Sequence, residues 1–249
     1  PLAQSFIALG LSQAARDRLN QLTSEPARQI EQGAAALTEL YNLSLTGLSA
    51  RHEGALSGPQ QVDLQLKVGD VLLLSGPSGC GKSTLLDVLA GEPLAYSGER
   101  LLNGKAYEHW QWRSVIGYLP QQLDIFDMTL AENLRLGQPA ATEQQLWAVL
   151  EDVALADWAR ARPAQLNTTL GEYGAQVSGG QARRIALARL LLAQRPLLLL
   201  DEPFAGLDAA TREQVLAALL RRQASGILVI VSHQPLELEQ AQRLQLTMN

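Results

Sequence analysis

The sequence predicts an α/β fold in three parts: a core with a parallel sheet, an antiparallel β part, and a helical insert. Two apolar runs, residues 197–200 and 227–231, have the composition of fully buried parallel strands. Alternating apolar and polar residues at 43–50 and 62–68 predict antiparallel strands ahead of the core. Apolar residues at helical spacing within 125–195 predict a region that is mostly helix.

Composition limits the classes of function. The chain has 249 residues, of which 47% are hydrophobic and 18% charged, as in ordinary globular proteins. The formal net charge is −5 and no basic stripe is present, so nucleic acid is not expected as a partner. A single cysteine, Cys80, rules out an internal disulfide and suits a reducing compartment.

A glycine-rich stretch, residues 76–84, separates an apolar run at 71–74 from leucines at helical spacing. Its letters, GPSGCGKST, match the phosphate-loop pattern, and the strand before and helix after give that pattern the context it needs. Glycines allow backbone angles at which successive N–H groups point at phosphate oxygens, and the helix N-terminus adds a positive dipole. The alternative, a glycine-rich turn without a ligand, requires this pattern and context to coincide by chance.

The phosphate-loop interpretation assigns roles to individual residues. Lys82 is expected to reach the β- and γ-phosphates of a nucleotide, and the Ser83 hydroxyl to ligate Mg²⁺. The predicted nucleotide-binding residues of this loop are Gly76, Pro77, Ser78, Gly79, Cys80, Gly81, Lys82, Ser83 and Thr84.

Five further motifs follow the loop in a fixed order. They are YLPQQ (118–122), VSGGQ (177–181), LLLLDEP (197–203), AGLD (205–208) and VSH (231–233). Together with the loop they resemble the nucleotide-binding domain of an ATP-binding cassette (ABC) protein, over residues 41–249. The resemblance implies a P-loop NTPase core of RecA-like type, an antiparallel β subdomain and an α-helical signature subdomain.

The resemblance implies ATP and Mg²⁺ as cofactors and a set of catalytic residues. Gln121 would touch Mg²⁺ and the attacking water, on a loop that senses the membrane partner. Asp201 would position Mg²⁺ through water, Glu202 would polarise the hydrolytic water, and His233 would contact the γ-phosphate. Taken singly, each has a plainer alternative: an exposed turn, surface charge, or a structural histidine.

The signature motif implies a dimer. In the family, the residues corresponding to Ser178, Gly179, Gly180 and Gln181 bind the γ-phosphate of the ATP held by the opposite subunit, and Asp208 lies in a loop that crosses the interface. A second nucleotide-binding domain is therefore an expected partner, and one domain alone should be a poor ATPase. Ser178 as a helix N-cap is a reading that also applies.

Three stretches resemble ABC exporters in particular. These are residues 128–137, which carry TLAEN; residues 169–181, with a glycine-glutamate pair before the signature; and residues 11–26, which resemble the junction with a membrane helix. We expect residues 1–40 to form a lead-in helix and linker from a membrane domain absent here. The implied location is the cytoplasmic face of the bacterial inner membrane.

A narrower likeness is to one half of the heterodimeric exporters that are linked to cytochrome bd assembly and associated with cysteine and glutathione export. The sequence departs from the exporter pattern where a tyrosine usually stacks on adenine: only Arg51 and His52 are available. Phe126 is a candidate contact with the membrane domain, or simply a core residue. Two alternatives stay open: a soluble ABC ATPase that does not transport, and the regulatory half of an asymmetric pair.

Overall fold

The computed structural model describes residues 34–171 and 174–247. Residues 11–26 of the predicted lead-in region, and Glu172 of the predicted glycine-glutamate pair, lie outside the described residues. The division at residue 40 stays a prediction, although Ala35 already contacts the segment after the antiparallel sheet: its N–H donates to the His109 carbonyl, and its carbonyl accepts from Gln111 N–H.

The described residues form strands and helices that we number in chain order. The strands are β1 (Asn42–Ala50), β2 (Val62–Lys67), β3 (Val71–Ser75), β4 (Tyr96–Leu102), β5 (Lys105–Ala106), β6 (Ile116–Leu119), β7 (Leu197–Asp201), β8 (Ile227–Val231) and β9 (Gln242–Gln245). The α-helices are α1 (Lys82–Ala90), α2 (Leu130–Arg135), α3 (Glu143–Asp152), α4 (Ala156–Arg160), α5 (Gly179–Ala193) and α6 (Ala209–Arg222). Short 3-10 helices cover Tyr107–His109, Trp112–Ser114 and Gln165–Asn167.

The antiparallel sheet has the order β2-β1-β4-β5. In β2 every second residue is buried, because one face of the sheet packs on the core and the other faces water. Asn103 and Gly104 have positive φ values of 51° and 74° and connect β4 to β5 in a tight turn. The two antiparallel strands predicted from alternation are confirmed.

The core sheet is parallel and has the order β6-β7-β8-β3-β9. Every residue of β7 and β8 is buried, as predicted from their apolar runs. Alternate residues of these strands face two separate clusters: Leu198 and Leu200 pack with the helical part, whereas Leu197 and Leu199 pack with α1 and the antiparallel sheet. The sheet therefore joins both other parts of the fold.

The core sheet has a strand after His233 that the apolar runs do not predict. A further strand, β9, pairs in parallel with β3 through Leu72 to Ser75. Its residues are mostly polar and exposed because it forms the edge of the sheet, so no apolar run marks it.

The helical insert is confirmed: α2 to α5 all lie between β6 and β7. Three of these helices begin with capping boxes, at Thr129, Thr142 and Ser178, where the side chain accepts from the N3 amide and the N3 side chain accepts from the cap amide. None of the helices in the described part of the chain combines the length and hydropathy needed to cross a membrane.

Candidate functional site

The glycine-rich loop connects the carboxyl end of β3 to α1. Gly76, Gly79 and Gly81 have φ values of 146°, 81° and 98°, a region that side chains disfavour. A Cβ atom on Gly76 would lie 2.5 Å from the Leu246 carbonyl oxygen, and one on Gly81 would lie 2.5 Å from Cδ of Pro59. Gly76 and Gly81 are therefore required both by backbone conformation and by the close approach of neighbouring chain segments, and Gly79 by its backbone conformation.

Lys82 is the first residue of α1 and is 94% buried, with a relative exposure of 6%. Its Nζ donates to the main-chain oxygens of Gly76 and Pro77, at 2.8 Å each. The ammonium group thus lies over the loop itself. Cys80 is fully buried in the apolar cluster with α1, so its thiol does not face solvent at the loop.

Ser83 and Asp201 come together from distant parts of the sequence. Ser83 Oγ donates to Asp201 Oδ2 at 2.6 Å, because α1 begins beside the carboxyl end of β7. Hydroxyl and carboxylate oxygens are ligands that suit Mg²⁺, which commonly takes one or two protein groups and completes its shell with phosphate and water. The described residues contain no group of three or more His, Cys, Asp or Glu side chains able to hold a metal. The pair therefore fits a magnesium ion shared with a phosphate ligand.

Glu202 follows Asp201 directly and lies beside His233 at the carboxyl end of β8. Glu202 Oε1 and His233 Nε2 are 3.4 Å apart, within ion-pair range, but Oε1 is buried and has no hydrogen-bond partner among the described residues. Burial raises the pKa of Glu202, partly offset by the nearby His233. The φ of Glu202 is 51°, an unusual value for a residue with a side chain.

Gln121 lies beyond the end of β6 and is exposed. Within the described ranges, no hydrogen bond joins its side chain to Ser83 or Asp201. Its main-chain oxygen accepts from Arg183 NH2 at 2.8 Å. Gln121 thus lies at the same carboxyl end of the parallel sheet as Asp201 and Glu202, but its side-chain amide does not contact them.

The signature motif begins α5. The Ser178 hydroxyl accepts from the amide of Gln181, and Ser178 N–H donates to the Gln181 side chain at 2.9 Å. Asp208 caps α6 in the same manner by accepting from Thr211 N–H at 2.9 Å, and that bond lowers the pKa of Asp208. Ser178, Gly179 and Asp208 are all exposed, and in residues 34–171 and 174–247 no hydrogen bond joins Ser178 or Asp208 to the phosphate loop.

Arg51 and His52 follow β1 and are exposed. His52 Nε2 lies 2.8 Å from Asp87 Oδ2, and the other oxygen of Asp87 accepts from the Tyr118 hydroxyl at 2.7 Å. His52 is therefore held by α1, the helix that follows the phosphate loop. Arg51 has no such anchor within the part of the chain that the structure describes, so of the two candidates His52 has the defined orientation.

Arg183 was not predicted as a site residue. Its guanidinium donates to the carbonyl oxygens of Asp201, Glu202 and Gln121. The only sequence signal is its place on the first turns of α5, after Ser178.

The comparisons with known proteins agree with this geometry. The family model described as ABC transporter matches residues 59–205. The glutathione/L-cysteine transport system ATP-binding/permease protein CydC of Escherichia coli (strain K12) is 34% identical over 94% of this chain and 41% of its own length. The CydD protein of the same system and strain is 32% identical over 88% of this chain and 38% of its own length.

A solved bacterial Atm1-family ABC exporter with ATP bound superposes with a TM-score of 0.73 at 26% identity, covering 81% of this chain and 36% of that one. The chain spans about two fifths of the length of these relatives. The order of elements, the two sheets and the helical insert agree with the fold of that family's ATP-binding domains. The chain belongs to the ABC transporter family, as an ATP-binding domain of the exporter type.

Proposed function

We propose that this chain is the ATP-hydrolysing motor of an ABC exporter, and that it works by closing on a second nucleotide-binding domain around two ATP molecules. The observation that carries the proposal is the Ser83–Asp201 contact of 2.6 Å, with Glu202 next to it in the chain and His233 beside Glu202. Residues far apart in sequence thus supply hydroxyl, carboxylate and imidazole groups directly beside a phosphate loop.

Each side chain has one task in this proposal. Lys82 would exchange its bonds to the loop carbonyls for bonds to the β- and γ-phosphates. Ser83 and Asp201 would hold Mg²⁺, which would supply neutralisation of charge on the phosphates. Glu202 Oε1 is a buried acceptor that still needs a donor, and an attacking water would supply it. His233 would donate to the γ-phosphate, and the Gln121 side chain would contact the metal and the attacking water. Hydrolysis of this kind depends on positioning and charge more than on covalent chemistry.

The exposed signature supports the dimer. Ser178 and Gly179 stand at the N-terminus of α5, a place that favours anions, yet they are exposed in this chain. We therefore propose that they bind ATP held by another nucleotide-binding domain, with Asp208 at the same interface. The exposed fraction of Phe126 is 41%, which suits a contact with the membrane domain. We propose that this contact forms at the cytoplasmic face of the bacterial inner membrane.

We propose a small thiol, such as cysteine or glutathione, as the exported compound. The support is the name of the CydC and CydD relatives, which together also suggest a heterodimeric partner. Uptake of labelled cysteine and glutathione by inverted membrane vesicles that contain the complete exporter tests this. A cargo would be excluded if ATP failed to drive its accumulation while ATP hydrolysis continued.

The motor itself is tested with Glu202→Gln, which should retain ATP binding and lose turnover. Light scattering with and without Mg-ATP should show dimers only with nucleotide. The matched control is Glu202→Gln combined with Ser178→Arg, which should bind ATP and stay monomeric. A monomer that binds ATP in both variants would favour an obligate partner of different sequence, and steady hydrolysis by Glu202→Gln would refute the assignment of Glu202.

A further inference from the structure

We propose that Arg183 is a positioning residue that sets the main chain of Gln121 and of Glu202 relative to one another and to the signature helix α5. The inference rests on the proposed function, because it concerns two residues assigned to hydrolysis. It adds a residue that neither phosphate nor metal is expected to touch.

The geometry is a single guanidinium with three carbonyl acceptors. Arg183 NH1 donates to Asp201 O at 2.7 Å and to Glu202 O at 3.2 Å, and NH2 donates to Gln121 O at 2.8 Å. These acceptors lie at or just beyond the carboxyl ends of two neighbouring strands of the core sheet, β6 and β7. One side chain therefore fixes the distance between the loop after β6 and the turn after β7.

An arginine is suited to this task for two reasons. Its planar fork presents several N–H donors in fixed directions, so the two terminal nitrogens can serve two loops at once, whereas a lysine ammonium is a single point. Arg183 is half-buried, and burial lowers its pKa while the nearby carboxylates Asp201 and Glu202 act in the opposite direction. The cation thus also adds positive potential near the predicted metal and water positions.

The turn at Glu202 needs such support. Its φ of 51° is in the left-handed region, which is unfavourable for a residue with a side chain unless the surroundings hold it. In the described chain, three bonds hold the main chain of that residue: Glu202 N–H donates to Val231 O at 3.1 Å, and Glu202 O accepts from Ala205 N–H and from Arg183, at 3.2 Å each. Loss of Arg183 removes the one that comes from α5, so the main chain that directs the carboxylate should be less firmly held.

Because Arg183 lies on α5, its hydrogen bonds also connect that helix to Gln121 and Glu202. Arg183 lies five residues after Ser178, on the helix that the signature begins. A displacement of Gln121 or Glu202 on binding nucleotide is therefore transmitted to the start of α5, and through it to a signature that we propose acts on another ATP.

The test compares Arg183→Met, Arg183→Lys and a control, Arg222→Met. Arg222 also connects the core to the helical part, through Nε to Asp152 Oδ2 at 2.5 Å, but it lies away from the predicted site. Amide hydrogen exchange is measured on the full chain without nucleotide, at residues 119–123 and 202–207. Steady-state hydrolysis of ATP is measured with the cognate second domain present.

In Arg183→Met, exchange should accelerate about tenfold or more in both segments, as expected when charge-assisted hydrogen bonds are lost. The kcat should fall about 10- to 100-fold with KM for ATP changed less than about threefold, because geometry is lost rather than binding. Arg183→Lys should recover part of both effects and remains testable if the methionine variant is poorly folded. Arg222→Met should leave both segments as in the parent chain.

Exchange that is unchanged in both segments, or faster in only one, would overturn the proposal, since Arg183 would then not join them. A rise in KM with kcat unchanged would also overturn it. If the parent chain fails to hydrolyse ATP with its partner, the proposed function fails instead, and the exchange comparison still decides the role of Arg183.

Discussion

The substitution Gly81→Ala probes how tightly the phosphate loop is packed from outside. A Cβ atom at this position would lie 2.5 Å from Pro59 Cδ, 2.7 Å from Pro59 N and 2.8 Å from Gly58 C. These are main-chain and ring atoms, which cannot rotate away as the end of a flexible side chain could. Gly81 also has a φ of 98°, so alanine is disfavoured there even without neighbours.

The cost has two parts. The unfavourable φ costs about 1–2 kcal/mol, and forcing a methyl group into packed atoms costs about 1–3 kcal/mol. The free energy of unfolding should therefore fall by about 2–5 kcal/mol. In a chain of this size, each kcal/mol lowers the melting temperature by about 2–4 °C.

Gly104→Ala is the matched control. Gly104 also has a positive φ, 74°, but a Cβ atom there would meet no atom within 4 Å. The free energy of unfolding of Gly104→Ala should therefore fall only by the cost of the unfavourable φ, about 1–2 kcal/mol. Urea unfolding of both variants measures the difference in unfolding free energy. Equal slopes m would confirm that the two variants have similar folded and unfolded states.

The comparison decides whether the segment around Pro59 is rigid. Equal losses of unfolding free energy in Gly81→Ala and Gly104→Ala would refute the reasoning, because Pro59 would then have moved aside without an energetic penalty. If the segment is rigid, Gly81→Ala should also lower affinity for ATP, since the phosphate loop must move to relieve the contact.

Two further predictions concern the helical part and the carboxylate. Asn133 is fully buried, and its side chain accepts from Phe126 N–H and donates to the carbonyls of Phe126 and Thr129. Asn133→Ala should therefore lower the free energy of unfolding by about 2–4 kcal/mol. A loss under about 1 kcal/mol in urea unfolding would contradict this. Burial raises the pKa of Glu202, which means that its charged form opposes folding, so Glu202→Gln should melt higher than the parent chain at pH 7. That advantage should shrink as the pH falls through the raised pKa toward 4.5, and a difference independent of pH would contradict the reasoning.

Much of the fold could be predicted because its signals are local. The phosphate loop carries its glycines at the positions where φ is positive, and the strands β7 and β8 are marked by uninterrupted apolar runs. The pairing of Ser83 with Asp201 follows from topology: Asp201 ends β7, and Ser83 lies in the first turn of α1, which the phosphate loop connects to the carboxyl end of β3. Side chains from distant segments meet at this end of a parallel sheet.

The parts that could not be predicted depend on contacts that leave no residue pattern. Strand β9 is polar because both its faces are largely exposed at the sheet edge, so neither alternation nor an apolar run reveals it. Arg183 acts on main-chain oxygens, which every residue has, and no partner side chain identifies it. The sequence makes His52 a candidate for contact with a nucleobase. Its link to Asp87 and Tyr118 could not be predicted, because it depends on the packing of three separate elements.

The order of strands in the core sheet also governs how the protein forms during synthesis. Strand β3 pairs with β8, from about 150 residues later, and with β9 on its other side. At about 5–20 residues per second, a ribosome needs roughly ten seconds or more to supply both neighbours. The sheet β2-β1-β4 joins segments that are close in sequence and can form within that interval. Until then the apolar β3 has neither parallel neighbour, so the nascent chain should depend on chaperones most while the helical insert is being made.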